Sequence, residues 1–469
     1  MLNDFLILMK SEWVITLIIF LLLFIKIGKG MKNDSLLSLI QVLLLLNTAT
    51  AFFFNKEGSL FDGMFHTSQL IAFQKAILSL GVYLISLVCA DWLKKSQHLP
   101  EFFILMLSAL LGMFLMISSG NLLIFYLSLE LATIPVAAMA NFDLNKKISS
   151  EAAMKMILSS AFSSGILLFG ISLVYGATGT ISFDAIPQLL DGSPLQLLAF
   201  VFLFTAFAFK LSIVPFHFWT ADVYEGSPIA TTSFLSVISK GSVAFIFIST
   251  LYKVFQPMQD VWYNMLVILA IATMLIGNLF ALRQQNIKRF LAFSSIAQVG
   301  FILVGISSNT DAGLTSVIYF VLIYVFSNLA AFGVASAIAE QTGKENIDDY
   351  KGLYKTNPFL CWIMALALFS LAGIPPTAGF FGKLFLLTAG AAKASYTFIV
   401  IAALNMVISL YYYLRVIRAM FMDKNESPIE KIRLSKSVSL GLIICAAGIV
   451  LVGLLSWVYE YIFSLSGNF

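Results

Sequence analysis

Six side chains in this 469-residue sequence combine proton-exchanging chemistry with improbable surroundings: Glu130, Lys155, Lys210, His217, Lys240 and Lys383. Glu130 lies in the middle of NLLIFYLSLELATIPVAAMA, Lys210 in AFAFKLSIVPFHFW, Lys240 in TTSFLSVISKGSVAFIFIST, and Lys383 in SLAGIPPTAGFFGKLFLL. An ionisable group at the centre of a membrane helix costs about 2.5–3.5 kcal/mol on insertion scales. It persists where it lines a polar cavity, pairs with another charge, or snorkels to the surface. The Glu130 carboxylate is too short to snorkel from mid-run. Lys240 has more than two helical turns of apolar sequence on each side. Lys210 and Lys383 flank proline-bearing breaks, where freed carbonyls make room for water. Burial favours the neutral form of both acid and amine, and an opposite charge restores the charged forms, so a buried Glu–Lys pair has two states of similar energy. A chain of such groups can hand on a proton.

The bland readings differ from residue to residue. For Glu130 it is a structural hydrogen-bonded acid, and for His217, just past the first break between two lysines, a satisfied core histidine. Lys75 and Lys155 each sit within two turns of a segment start, where snorkelling is the main expectation for Lys75. Lys155 also follows Glu151 at the i, i+4 spacing of a helix-surface pair. His66 and His98 are expected in solvated loops, and Asp222 and Glu225 in the loop after the seventh segment, with a solvated or structural role.

Moving one charge through 100 mV takes about 2.3 kcal/mol, so a proton path needs a driver. The sequence has no P-loop, GxGxxG or haem ligand pair, and its three cysteines (Cys89, Cys361, Cys445) form no CxxC or Cys/His cluster. Energy must arrive from a partner protein or an ion gradient.

The elements that position these residues are membrane helices. The chain is 60% hydrophobic and 11% charged, with mean hydropathy +0.94, against about 25% charged in a soluble domain. Apolar runs such as WVITLIIFLLLFI are long and do not alternate, which excludes a barrel. The first run lacks a small-residue cleavage site and reads as a retained helix. The net charge of +4 comes from membrane loops and is no nucleic-acid signal. Fourteen segments are expected, at 11–27, 35–54, 69–92, 101–118, 121–141, 151–176, 194–214, 229–254, 259–281, 287–308, 312–340, 358–389, 396–421 and 434–463, with the seventh and twelfth broken at Pro215 and at Pro375–Pro376. With the N-terminus outside, nineteen Lys and Arg fall in inward loops and only Lys10, Lys56, Lys253 and Lys393 fall outside, so both termini face out.

The two breaks are 160 residues and five segments apart. A unit repeated after an odd number of crossings faces the opposite way, so segments 4–8 and 9–13 are expected to form an inverted pair. The expected divisions are 1–100, 101–255, 256–421 and 422–469, the middle two being the repeats and candidate proton half-channels.

At these residues the sequence resembles a known family. SLELATIPVAAMA, FKLSIVPFHFWTADVYEGSPIATTSFLSVISKG, NIKRFLAFSSIAQVGF and LAGIPPTAGFFGK resemble the antiporter-like membrane subunits of respiratory complex I, NADH:quinone oxidoreductase, and among them the N type. The match runs through nearly the whole fourteen-helix core. It implies a proton-translocating subunit of the membrane arm in a bacterial inner membrane, beside other antiporter-like and small membrane subunits and lipid. NADH, FMN, iron–sulfur clusters and quinone would be held by other chains, with no cofactor or metal here. The resemblance assigns proton transfer to Glu130, paired with Lys210, to Lys240 with His217 as bridging relay, to Lys383, and to Lys155 as a basic position of the sixth helix. Ser294 and Ser295 would hold water. Lysine at 383, where the M type carries glutamate, and a chain that stops soon after the last helix, without the lateral helix of the L type, both favour the N type. A multi-subunit cation/proton antiporter subunit and a transport-inactive scaffold are the rival expectations.

Overall fold

The computed structural model describes residues 2–28, 30–53, 56–392 and 396–467, without the side chains of Leu2 and Asn3. Lys393, counted above among the outward basic residues, lies outside them. The crossings are α1 (Lys10–Ile27), α2 (Asn33–Phe52), α3 (Gln69–Val88), α4 (Leu99–Ile117), α5 (Leu122–Ala140), α6 (Lys147–Thr178), α7a (Pro194–Leu211) with α7b (Phe218–Gly226), α8 (Ile229–Val254), α9 (Gln259–Ala281), α10 (Ile287–Ser307), α11 (Asp311–Thr342), α12a (Pro358–Ala372) with α12b (Ala378–Ala391), α13 (Tyr396–Phe421) and α14 (Lys436–Leu454). Among the described residues, twelve helices are long and apolar enough to cross a membrane. The more charged α1 and the broken α12 complete the expected fourteen. Two expectations are refined. The last segment is interrupted at Leu455 and continues as a separate helix, Ser456–Ser466. The residues after the first break form the short helix α7b and not a loop.

Helices that are apolar all round belong in a core. α10 and α11 are buried along their whole apolar lengths, whereas α1, α2, α13 and α14 present broad apolar faces outward, such as Leu17, Phe24, Leu46, Val407 and Leu451. A short hairpin, β1 (Gly58–Leu60) and β2 (Phe65–Thr67), pairs antiparallel beside the start of α3.

The repeat is visible in detail. α5 and α10 each begin at an asparagine cap, Asn121 and Asn286, whose side chain accepts first-turn N–H groups. α6 and α11 are both 32 residues long and end at glycines with left-handed backbone, Gly179 and Gly343. A Cβ on Gly112 would stand 2.5 Å from Ala132 N, and one on Gly277 would stand 2.6 Å from Ala297 N. The same close helix crossing thus recurs in each half. α7a ends at Ser212 with φ 65° and α12a at Gly373 with φ 85°. The cis bonds Val214–Pro215 and Pro375–Pro376 follow. Pro215 therefore aligns with Pro376, one position later than the spacing of prolines alone suggests. Five crossings separate the units, so their directions are opposed.

Candidate functional site

The two helix breaks and the buried helices α8, α10 and α11 assemble a row of polar groups through the interior. At one end stands Glu130, whose buried Oε1 has no hydrogen-bond partner. One turn further along α5, the Thr133 hydroxyl donates to Leu129 O at 2.7 Å and accepts from Lys210 Nζ at 2.7 Å. Lys210 is 9% exposed. The expected Glu130–Lys210 pair is not made directly: among the described residues Lys210 donates to Thr133, one turn along α5 from Glu130.

The α7 break is pinned from several sides. Pro215 has no N–H to return to Leu211 O. Val214 N donates to Thr273 Oγ1 (3.1 Å), Thr220 Oγ1 to Ser212 Oγ (2.6 Å), and Trp219 Nε1 to Phe209 O (3.0 Å). His217 stands at the N-cap position of α7b and is buried, and its Nδ1 has no hydrogen-bond partner among the described residues.

Lys240 follows a π-helical stretch of α8, Phe234–Ser239, a distortion frequent at functional sites. It is 3% exposed, donates to Ser295 Oγ at 2.8 Å and lies 5.5 Å from the Tyr224 ring centroid. Beyond it, Ser236 meets Tyr324 Oη (3.3 Å) and accepts from Asn328 Nδ2 (2.5 Å). A cavity of about 10 Å³, lined by Tyr324, Ser327, Ser370, Gln298 and Leu371 among others, is on the order of a single water. Lys383 is fully buried and donates to the carbonyl of the cavity residue Leu371 (2.7 Å) and to Ala372 O (3.4 Å), beneath the Phe301 ring at 4.6 Å. These carbonyls are available because the residues four positions on are Pro375 and Pro376, which have no N–H.

Lys75 does not snorkel: it is 2% exposed and pairs with Glu12 at 2.6 Å, between the Phe65 and Phe114 rings. Its ammonium is met by Glu12 of α1 and lies over the Phe65 ring of β2, so it stays away from the surface. Asp222 and Glu225 are ion-paired on α7b: Asp222 with Lys155 and Arg289, both at 2.7 Å, and Glu225 with Arg289 at 2.8 Å. Lys155, which also meets Glu151 at 2.7 Å, is 42% exposed and belongs to this cluster. Of the helix-10 serines, Ser295 takes Lys240 directly, while Ser294 donates to Leu291 O. His66 is half-buried on β2, and His98 is exposed, 3.5 Å from Glu101.

Sequence reasoning missed Thr133, Tyr224, Gln298, Tyr324 and Asn328. Each is an ordinary helix residue by type. The available signal was polarity at helical spacing from a flagged residue, as Thr133 stands from Glu130 and Ser236 from Lys240.

Residues 119–409 match the family described as NADH:quinone oxidoreductase/Mrp antiporter, TM. The chain belongs to this family. It is 49% identical over 409 residues to NADH-quinone oxidoreductase subunit N of Phocaeicola vulgatus, covering 86% of this chain and 87% of that protein. It is 37% identical to NAD(P)H-quinone oxidoreductase subunit 2 of Gloeothece citriformis, over 90% of this chain and 84% of that one. Among solved structures, a chain of respiratory complex I from Thermus thermophilus with bound aureothin superposes with TM-score 0.80 at 26% identity, over 95% and 97% of the two chains. A chain of the Mrp complex from Dietzia sp. DQ12-45-1b gives 0.85 at 19% identity, over 98% and 96%. The fold is therefore common to both kinds of complex. The kinship with the quinone oxidoreductase subunits lies in sequence.

Proposed function

We propose that this chain is an N-type membrane-arm subunit of a proton-pumping NADH:quinone oxidoreductase. It carries protons along Glu130, Lys210, His217, Lys240 and Lys383, and Lys155 joins the path at the Asp222 cluster. The observation that supports this most is the row itself: three lysines at most 9% exposed in the centre of an apolar bundle, each on a hydroxyl or a break-freed carbonyl, with a water-sized cavity along the row. Buried charges that serve only stability are normally matched by an adjacent opposite charge. Here Lys240 and Lys383 rest on neutral dipoles, an arrangement that keeps the cost of losing a proton low.

In this reading residues 101–255 and 256–421 are the two half-channels, flanked by 1–100 and 422–469. The chain lies in the bacterial inner membrane with both ends outside. Other antiporter-like and small membrane subunits and lipid surround it. NADH, FMN, iron–sulfur clusters and quinone are bound by other subunits, whose quinone reduction drives the protons.

The test is Lys210→Met in the assembled complex. Proton pumping falls at least tenfold and coupled quinone reduction slows, while assembly on a native gel is retained. Normal pumping by an assembled Lys210→Met complex overturns the assignment. The Mrp-like fold match supports a second reading, a cation/proton antiporter subunit, which exchanges sodium for protons without NADH. Near-normal pumping after neutralising both Glu130 and Lys383 would leave a scaffold.

A further inference from the structure

The Leu371 carbonyl has two donors. Lys383 Nζ reaches it at 2.7 Å and Gln298 Nε2 at 3.0 Å. The other hydrogen of the Gln298 amide goes to Tyr413 Oη at 3.1 Å. Gln298 is 2% exposed, and its Oε1 has no partner. It also lines the small cavity together with Tyr324 and Leu371.

The repeat gives this contact a counterpart. Gln298 stands twelve residues after the Asn286 cap, and Thr133 stands twelve after the Asn121 cap. Leu371 lies two residues before the left-handed Gly373, and Lys210 two before the left-handed Ser212. The Thr133–Lys210 and Gln298–Leu371 contacts therefore join equivalent positions of the two halves. In the first half the contact holds a lysine directly. In the second it holds the carbonyl on which a lysine from the other side of the break rests.

We propose that Gln298 is a positioning residue for Lys383: by sharing the Leu371 carbonyl it limits how tightly the ammonium is held. A carbonyl that already accepts one hydrogen bond is a weaker acceptor for the next. With Gln298 in place, Lys383 is anchored in position yet poised to lose its proton. Without it, the carbonyl turns wholly to the ammonium. The inference rests on the reading of Lys383 as a proton carrier. The titratable groups nearest this contact are Tyr413 of α13, which accepts from the Gln298 amide, and Tyr324 of α11, which lines the same cavity as Gln298 and Leu371. Among the described residues Lys383 has no ion pair with a carboxylate.

The experiment compares Gln298→Met, Tyr413→Phe and Lys383→Met in the complete complex in native membranes. Assembly is read on native gels, and pumping and NADH:quinone reduction are read from pH 6 to pH 9. Gln298→Met is expected to assemble, to pump several-fold more slowly at neutral pH, and to move the alkaline limb of the rate profile upward by about one pH unit, the order set by one hydrogen bond to a charge. Tyr413→Phe frees the far end of the amide and moves the limb the same way by less. It carries the test if Gln298→Met does not assemble. A uniform loss at every pH, following the amount of assembled enzyme, would make Gln298 a structural filler and overturn the proposal. So would an unmoved profile in both variants while Lys383→Met pumps poorly. Normal pumping by Lys383→Met would instead sink the underlying reading of Lys383.

Discussion

The two broken helices solve one problem in two ways. Both must keep an ammonium group in an apolar interior. Before the first break, Lys210 rests on a threonine hydroxyl one turn along α5 from Glu130. After the second, Lys383 meets no acid among the described residues and rests on Leu371 O and Ala372 O. The sequence difference behind this is small. The first break has a single proline, and the second has two, which strip donors from two successive carbonyls. Counted from the asparagine caps, the position of Glu130 is taken by Ser295 in the second half, and Ser295 now serves Lys240. A broken helix can thus replace a counter-charge by a pair of dipoles, and the second repeat has used that freedom to dispense with its carboxylate.

The comparison presumes one scaffold beneath two sites, and the scaffold is where the largest effect is expected. Gly112→Val and Gly277→Val each drive a side chain into the backbone of the neighbouring helix, at Ala132 and Ala297. Backbone cannot yield as a side-chain end can, so each should cost about 3 kcal/mol or more, at the severe end of overpacking. Both variants should lose most assembled complex on native gels, and to a similar degree. A large loss at one glycine with tolerance at the other would break the equivalence of the halves.

Next comes a contrast between the two lysines. Lys383→Met leaves the Ala372 carbonyl without its side-chain donor and the Leu371 carbonyl with Gln298 alone, and a buried unsatisfied polar group costs about 1–3 kcal/mol. Lys210→Met leaves Thr133 still bonded to Leu129 O. Both should abolish most pumping, but only Lys383→Met should markedly lower thermal stability in detergent. Equal melting temperatures would show that the carbonyl pair does not depend on the ammonium. Thr133→Val is expected to act more mildly. It removes one hydrogen bond to a charge, on the order of 1.5–3 kcal/mol, and should slow pumping about tenfold without changing assembly. An unchanged rate would mean that Glu130 alone holds Lys210.

The sequence made the skeleton of this comparison legible and hid its chemistry. Long unalternated runs, two proline breaks an odd number of crossings apart and isolated charges were readable because membrane helices are specified by composition and length. The partners were not, since a threonine or glutamine in a membrane helix has no signature of its own. Thr133 and Gln298 acquire meaning only when helices distant in sequence are brought side by side. Lys75 was misjudged for the same reason. Nearness to a segment end suggested water, but its ammonium is met by Glu12 of α1 and lies over the Phe65 ring of β2. The one-residue offset between the prolines of the two breaks was equally invisible until the left-handed residues at 212 and 373 fixed the register.

The smallest effect concerns a position that both halves fill with a charge. Asp222 lies seven residues after Pro215, and Lys383 lies seven after Pro376. Lys383 turns into the core. Asp222, 34% exposed, turns to Lys155 and Arg289. Part-exposed pairs of this kind are worth about 0–1 kcal/mol and weaken with salt. Arg289→Gln should therefore lower stability by less than about 1 kcal/mol at low ionic strength, and the difference should fade at high salt. A deeply placed charge resists such screening, so the corresponding loss in Lys383→Met should persist at high salt. If Arg289→Gln were as damaging as Lys383→Met and equally indifferent to salt, Asp222 would need the same buried status as Lys383. The two halves would then differ in the sign of the charge at this position, and no longer in which way it faces.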